Sequence, residues 1–257
     1  MIDAPPSLLS ALRGDPGRRP AADPALGAGV RALLEDELFA VLGDSPRRLV
    51  VTPASVRGLA GVADITASRR ARLRGALVGT GLRVILGGGR PAGRASALWA
   101  SWISEAPAPL AALAVDLPSP ERQRLLEVVD EDLAALARAI GVLPSSWARR
   151  TGARAEVRVR AGTVVLRDAV DLVLGSTRVA TRDVVLLDVV TSPLGEGTAR
   201  LRDYHALVET LRTGVAPLRT AILSAPTAEW SIADVDFALL ARAARHVADI
   251  AAEGGAR

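Results

Sequence analysis

The run from Val184 to Val190 constrains the fold of this chain more than any other segment. It reads Val-Val-Leu-Leu-Asp-Val-Val, so it is apolar except for Asp188. A short apolar run of this kind is typical of a central strand that is covered on both faces of a sheet. The run therefore predicts an α/β protein, and its one carboxylate needs a partner because burying an unpaired charge is costly.

The segments around this run alternate between strand and helix patterns. Strand patterns occur at 155–159, 163–166, 170–174 and 219–224, and helical patterns occur at 201–212 and from about 232 to 252. The order β-β-β-α-β-α predicts a mixed central sheet of four to five strands flanked by helices. We place this α/β core at residues 146–257.

The first half of the chain has mainly helical sequence patterns. Residues 25–145 are predicted to be mostly helical and packed on the core, with clear helical periodicity at 27–42 and from Pro118 to Ile140, and a short strand-like run at 48–52. Residues 1–24 are rich in Pro, Gly, Arg and Asp and predict a flexible arm.

Two absences in the composition narrow the chemistry. The chain has neither cysteine nor lysine, which excludes disulfides, thiolate metal sites, Schiff bases and phosphate-binding loops that depend on lysine. Its net charge of +4 favours nucleic acid only weakly. Without a signal peptide or a sufficiently long apolar segment, we expect a cytoplasmic protein with no membrane contact.

Two aspartates interrupt or follow the strand patterns. If the strands that carry Asp171 and Asp188 are neighbours, their carboxylates converge, and paired carboxylates are suitable ligands for Mg²⁺ or Mn²⁺. Glu156, one strand earlier, is a candidate third ligand. The alternatives are a loop cap or an arginine partner for each aspartate, and a solvated strand face for Glu156.

Three segments of the C-terminal half occur in a recognisable order: Val170–Gly175, Leu187–Ser192 and Tyr204–Arg212. Together they resemble the RecB-like branch of the PD-(D/E)XK nucleases, over about residues 147–250. The resemblance implies a restriction-endonuclease-like core with a metal-dependent DNA-cutting site. It also implies that Asp171 and Asp188 are the two acids of that site.

Most other signature positions differ from this family. The lysine of its D/E-x-K triplet would be Val190, and the glycine of its G-x-x-D pattern is Asp168. Leu201 and His205 stand at the Gln and Tyr positions of its Q-x-x-x-Y helix. Arg31 stands at the metal-binding histidine position of its G-x-x-x-H helix.

These departures predict a weakened site. The resemblance assigns the lysine to positioning water and stabilising charge at the phosphate, and Val190 can do neither. A relocated basic group could only be an arginine, and we consider Arg182, Arg200 and Arg202. We predict that Arg31 pairs with one of the two acids and replaces the metal.

The sequence therefore predicts a catalytically degenerate nuclease homologue without a cofactor. It would be a DNA-binding or structural subunit, beside a protein partner such as a helicase or another nuclease. The alternatives are an active Mg- or Mn-dependent DNase with a relocated arginine, and an interaction scaffold that does not bind nucleic acid.

The remaining candidate residues carry open alternatives. His205 is either a general base, for which histidine is suited near neutral pH, or a packed helix residue. The arginines expected to contact DNA are Arg69, Arg70, Arg72, Arg74, Arg182, Arg200 and Arg202. For the first four, the alternative is a solvated helix face.

Overall fold

The structure is a computed structural model that describes residues 8–15, 19–45, 47–58, 65–87, 95–143, 147–176 and 181–255. In chain order its elements are α1 (Leu8–Arg13), α2 (Pro24–Leu42), β1 (Leu49–Val51), α3 (Pro53–Val56), α4 (Ile65–Leu86), α5 (Ala95–Glu105), α6 (Ala108–Val115), α7 (Ser119–Ile140), β2 (Arg149–Val159), β3 (Val164–Leu174), β4 (Val185–Val190), α8 (Glu196–Thr213), β5 (Arg219–Ser224), β6 (Trp230–Asp234) and α9 (Phe237–Gly255). The predicted α/β class with a mostly helical N-terminal half is confirmed.

Six strands form one mixed sheet. The long strand β3 pairs antiparallel with β2 along its length, parallel with β1 near its start and antiparallel with β4 near its end. Next, β4 pairs parallel with β5, and β5 pairs antiparallel with β6. The strand β1 comes from the N-terminal half, so that half contributes to the sheet as well as covering it.

Helices cover both faces of the sheet. One apolar cluster joins α1, α4, α5 and α7 to residues that include Leu172, Val185 and Leu187. The other joins α2, α8 and α9 to residues that include Val164 and Leu166. Both faces of β4 are buried, as its apolar sequence predicts, because Val185 and Leu187 join the first cluster and Leu186 and Val190 are buried as well.

The strand β6 is a correction to the sequence prediction, which began the last helix at about Ile232. Residues 230–234 instead pair with β5, and α9 begins only at Phe237. The side chain of Asp236 accepts a hydrogen bond from the backbone N–H of Leu239 at 2.7 Å, as expected of a residue that caps a helix. The apolar spacing fits a helix equally well here, and pairing with β5 decides the outcome.

The predicted arm is also corrected where it is described. Leu8 and Leu12 of α1 have no exposed surface, because they pack in the first apolar cluster. Arg13 and Arg19 both form ion pairs with Asp183. The rest of the predicted arm, at 1–7 and 16–18, lies outside the described residues.

The helix α2 packs very closely against the end of α8. A Cβ atom added to Gly27 would collide with the backbone carbonyl of Gly214. A Cβ atom at the exposed Gly29, two residues later, would meet only Phe237 at an ordinary 3.9 Å. Glycine at the first position is therefore required by a close backbone approach, and at the second it is not.

These two glycines give a matched pair of substitutions. Gly27→Ala is expected to lower the free energy of unfolding by about 1–3 kcal/mol, because the methyl group forces α2 away from α8. Gly29→Ala is expected to raise it by up to about 1 kcal/mol through helix propensity. Urea denaturation of both variants measures the difference, and equal stabilisation by both would contradict the close packing.

Candidate functional site

Asp171 and Asp188 lie together at the junction of β3 and β4. The pairing of the two strands ends with Leu172 opposite Leu187, and Asp171 and Asp188 are the next residues beyond that pair. Opposite residues of an antiparallel pair share a face, so their carboxylates approach each other. The backbone N–H of Val189 donates to Asp171 Oδ2 at 2.9 Å, which fixes one carboxylate against the other strand.

A break in the neighbouring ladder helps to aim Asp171. The β2–β3 pairing runs on both sides of Gly152 but omits the position where Gly152 would face Asp171. Gly152 has a φ of +57°, which favours glycine. Leu166 and Leu172 are an even number of residues apart and would lie on the same face of a regular strand. They pack in different apolar clusters, so β3 changes the face that it buries between them. Such irregularities re-aim side chains next to functional sites.

A negative charge on one of the two carboxylates disfavours a negative charge on the other. Burial raises the pKa of Asp171 well above its ordinary value, and the negative charge of Asp188 and a hydrogen bond with that residue raise it further. The Val189 N–H and the charge of His205 act in the opposite direction and are outweighed. The pair therefore favours holding a proton between its two carboxylates.

His205 lies fully inside the protein, behind this pair. Its Nδ1 is 2.8 and 2.9 Å from the two carboxylate oxygens of Asp168. Its Nε2 lies 3.3 Å from Asp188 Oδ2, an ion-pair contact without the alignment of a hydrogen bond. A continuous row of ionisable groups thus runs from the core to the junction of β3 and β4, in the order Asp168, His205, Asp188 and Asp171.

The surroundings of His205 favour its charged form. Burial lowers its pKa, but the charges of Asp168 and Asp188 and the hydrogen bond with Asp168 outweigh burial and raise the pKa to about 10. An imidazolium therefore offsets one of the two negative charges that it contacts. The sequence analysis left His205 as either a general base or a packed helix residue, and its position suits a buried counterion.

The helix α8 matches the spacing of β4. Leu201 packs with Val190, and one helical turn later His205 contacts Asp188. Four helical residues rise about 6 Å and two strand residues about 6.6 Å, so the two contacts can form together. One turn of α8 therefore places an apolar pair and an ionic pair side by side.

A cavity of about 370 Å³ opens beside the two aspartates. Its wall on α4 includes Gly75 and Gly79, and its opposite wall includes Thr191. Arg57 also lines the cavity and donates to Ser192 Oγ at 2.9 Å. The two acids therefore share a cavity with a cation that the sequence analysis did not select.

Arg57 was missed because it lies within residues 25–145, which the sequence analysis predicted only as mostly helical. Two local signals mark a separate short helix. Thr52 precedes Pro53 and accepts a hydrogen bond from the backbone N–H of Ser55 at 3.3 Å, and Gly58, with a φ of +70°, follows Arg57. Only the tertiary structure places the residue between these signals in the cavity.

Two predicted site residues lie elsewhere. Glu156 is on the solvent face of β2, where its carboxylate pairs with Arg158 and Arg167. The prediction that Arg31 pairs with an acid of the site is wrong, because its guanidinium donates to the carbonyl of Leu211 at 2.9 Å and lies 4.0 Å from Glu35. The buried cation at the acids is His205.

Three of the seven arginines proposed to contact DNA each make two or more hydrogen bonds to other parts of the protein. Arg182 donates to the carbonyls of Ala216, Pro217 and Val235, and burial lowers its pKa. Arg74 makes a bidentate pair, at 2.7 Å for each bond, with the buried Asp132. Arg202 binds Asp203 and Ser231. These bonds are structural, and they correct the DNA-contact prediction for all three.

The other four arginines remain at the surface. Arg69 pairs with Asp116 and Arg200 with Glu196. Arg70 and Arg72 are exposed on α4. Contact of these four with DNA stays a prediction.

Asp171 and Asp188 are the residues that a divalent metal would use. Within the described ranges, no three His, Asp or Glu side chains are grouped in a way that could hold one, so the protein would supply few ligands. The imidazolium of His205 also places a positive charge against Asp188, which opposes a metal cation there.

None of the helices that the structure describes has the length and apolar character needed to cross a membrane. No protein-family model matches the chain, and a search of curated proteins likewise finds no match. The nuclease resemblance therefore rests on the motif residues themselves.

Proposed function

We propose that this chain is a catalytically degenerate PD-(D/E)XK nuclease homologue that binds DNA without cutting it. In this proposal it needs no cofactor and serves as a DNA-binding or structural subunit beside a protein partner such as a helicase or an active nuclease. The observation that carries the proposal is the burial of Val190 with Leu201.

Val190 and Leu201 stand where the family resemblance places a lysine and a glutamine. Val190 has only 4% of its surface exposed and packs with Leu201 and Ile222. Two polar positions have thus become parts of one apolar cluster. An apolar side chain at the lysine position can neither position water nor stabilise charge at a phosphate.

A second pair of departures supports the same conclusion. Asp168 and His205 stand at the family's glycine and tyrosine positions, and in this chain they bind each other. Their contact helps to keep His205 protonated, which places a positive charge next to Asp188. Because the departures are mutually complementary, the site has a stable arrangement of its own rather than a damaged catalytic one.

The case for DNA rests on the helix that forms one wall of the cavity. Arg72, Gly75 and Gly79 of α4 are three and four residues apart, so they share one face of the helix. The two glycines line the cavity and leave room above the acids, and Arg72 is exposed one turn before them. A phosphate backbone that follows this face would pass Arg72 and reach the cavity.

The test combines a cleavage assay with a binding assay on a short fluorescein-labelled DNA duplex. We expect no cleavage with Mg²⁺ or Mn²⁺ and salt-dependent binding, with Arg72→Ala reducing the salt slope by about one unit. Arg122→Ala on α7 is the control and should leave both measurements unchanged. Cleavage that Asp188→Asn abolishes would overturn the proposal in favour of an active DNase.

Asp171→Asn tests the state of the acids directly. An amide resembles the protonated carboxyl, and its oxygen can still accept the Val189 N–H. We therefore expect the free energy of unfolding at neutral pH to change by less than about 1 kcal/mol, and DNA affinity to persist. If the carboxylate held a metal required for binding, the same substitution would abolish the affinity.

A further inference from the structure

We propose that Arg57 and Thr191 form a phosphate-binding site in the cavity beside Asp171, and that this site works without a divalent cation. In taking the phosphate from DNA, the inference rests on the proposed function. The phosphate site itself is assigned from the cavity lining and can be tested separately.

The guanidinium of Arg57 has more hydrogen-bond donors than its bond to Ser192 uses. A guanidinium carries five N–H groups, and the bond to Ser192 Oγ uses one of them. Within the described part of the chain no other bond of this guanidinium is found, so a fork of donors remains for an anion. The backbone of Arg57 is fixed by α8, because a Cβ atom at Gly197 would stand 3.1 Å from its carbonyl oxygen.

Thr191 supplies a hydroxyl donor to the same cavity. Its Oγ1 would lie 3.9 Å from a Cβ atom at Gly75, so the hydroxyl faces α4 across the cavity. Among the residues that the structure describes, this hydroxyl has no hydrogen-bond partner. An arginine fork and a free hydroxyl are typical phosphate donors.

The neighbouring acids would ordinarily repel a phosphate. Here each acid has a partner within the protein: His205 Nε2 lies 3.3 Å from Asp188 Oδ2, and the backbone N–H of Val189 donates to Asp171 Oδ2 at 2.9 Å. Arg57 is the cation among the described residues that line the cavity, and its guanidinium has unused donors. A phosphate, with several acceptor oxygens, is the kind of ligand that suits these donors.

The experiment measures DNA affinity by fluorescence anisotropy in EDTA and in Mg²⁺, beside orthophosphate binding by calorimetry. We expect the wild-type protein to bind DNA equally well in both buffers, and Arg57→Ala to raise the Kd about tenfold or more. Thr191→Val, a close match in shape, should raise it to a smaller extent. Arg122→Ala is the control, and circular dichroism melting curves confirm that each variant is folded.

The outcomes separate the two proposals. Binding that requires Mg²⁺, or that is unchanged in Arg57→Ala and Thr191→Val, overturns the phosphate site and leaves DNA binding intact. Orthophosphate binding that depends on Arg57, with no DNA binding in either buffer, supports the site and overturns the proposed function. In that case the ligand is a small phosphorylated molecule.

Discussion

His205→Leu is expected to lower the free energy of unfolding by about 3–5 kcal/mol, because it leaves Asp168 buried without its partner. The side chain of Asp168 is 3% exposed, and His205 supplies its contacts at 2.8 and 2.9 Å. The backbone N–H of Ala169 is then the main remaining donor to that carboxylate. Urea denaturation at neutral pH measures the loss.

The second histidine of the chain is the matched control. His246 on α9 is half-buried, and its Nε2 makes one contact, of 3.2 Å, with the carbonyl of Val56. His246→Leu should therefore cost no more than about 1 kcal/mol. Equal losses at the two positions would show that packing, rather than the ionic pair, is responsible.

A double variant identifies the cause of the loss. When Asp168→Ala is added to His205→Leu, the buried carboxylate that lost its partner is removed. The double variant should then be more stable than the sum of the two single losses predicts, with a coupling energy of about 1–3 kcal/mol. Simple additivity would contradict a direct interaction between the two side chains.

The second large effect is a loss of stability at alkaline pH. The pKa of His205 rises from 6.5 to about 10 on folding, so the folded protein holds this proton more tightly than the unfolded chain does. The resulting stabilisation is complete below about pH 6.5 and is lost as the pH rises to about 10. At about 1.4 kcal/mol per pKa unit, its size is on the order of 5 kcal/mol.

Denaturation at several pH values between 6 and 10 measures this dependence, and His205→Leu should flatten it. Asp171 acts in the same direction, because its raised pKa also means that the folded state holds the proton more tightly. Its stabilisation is lost as the pH rises above the ordinary aspartate range, and Asp171→Asn removes that part alone. A slope that persists above pH 6.5 when His205→Leu and Asp171→Asn are combined would assign the titration to another group.

The local pattern of the sequence was enough to predict the main elements. The apolar run of β4, the helical stripe of α7 and the central part of α2 all occur where periodicity places them. Each is long or strongly apolar, so the spacing of its apolar residues can be recognised within a short stretch of sequence. The meeting of Asp171 and Asp188 followed from the same patterns, since both strands could be recognised and the acids are opposite each other in the sheet.

Only the tertiary structure decided which charges meet. Arg31 and His205 both stand at family signature positions, yet the first binds the carbonyl of Leu211 and the second binds Asp168 and Asp188. Arg57 enters the cavity from a short helix that has no periodicity to recognise. The energy of an ion pair depends on distance, burial and the number of partners, and residues far apart in sequence set all three, so no local pattern contains that information.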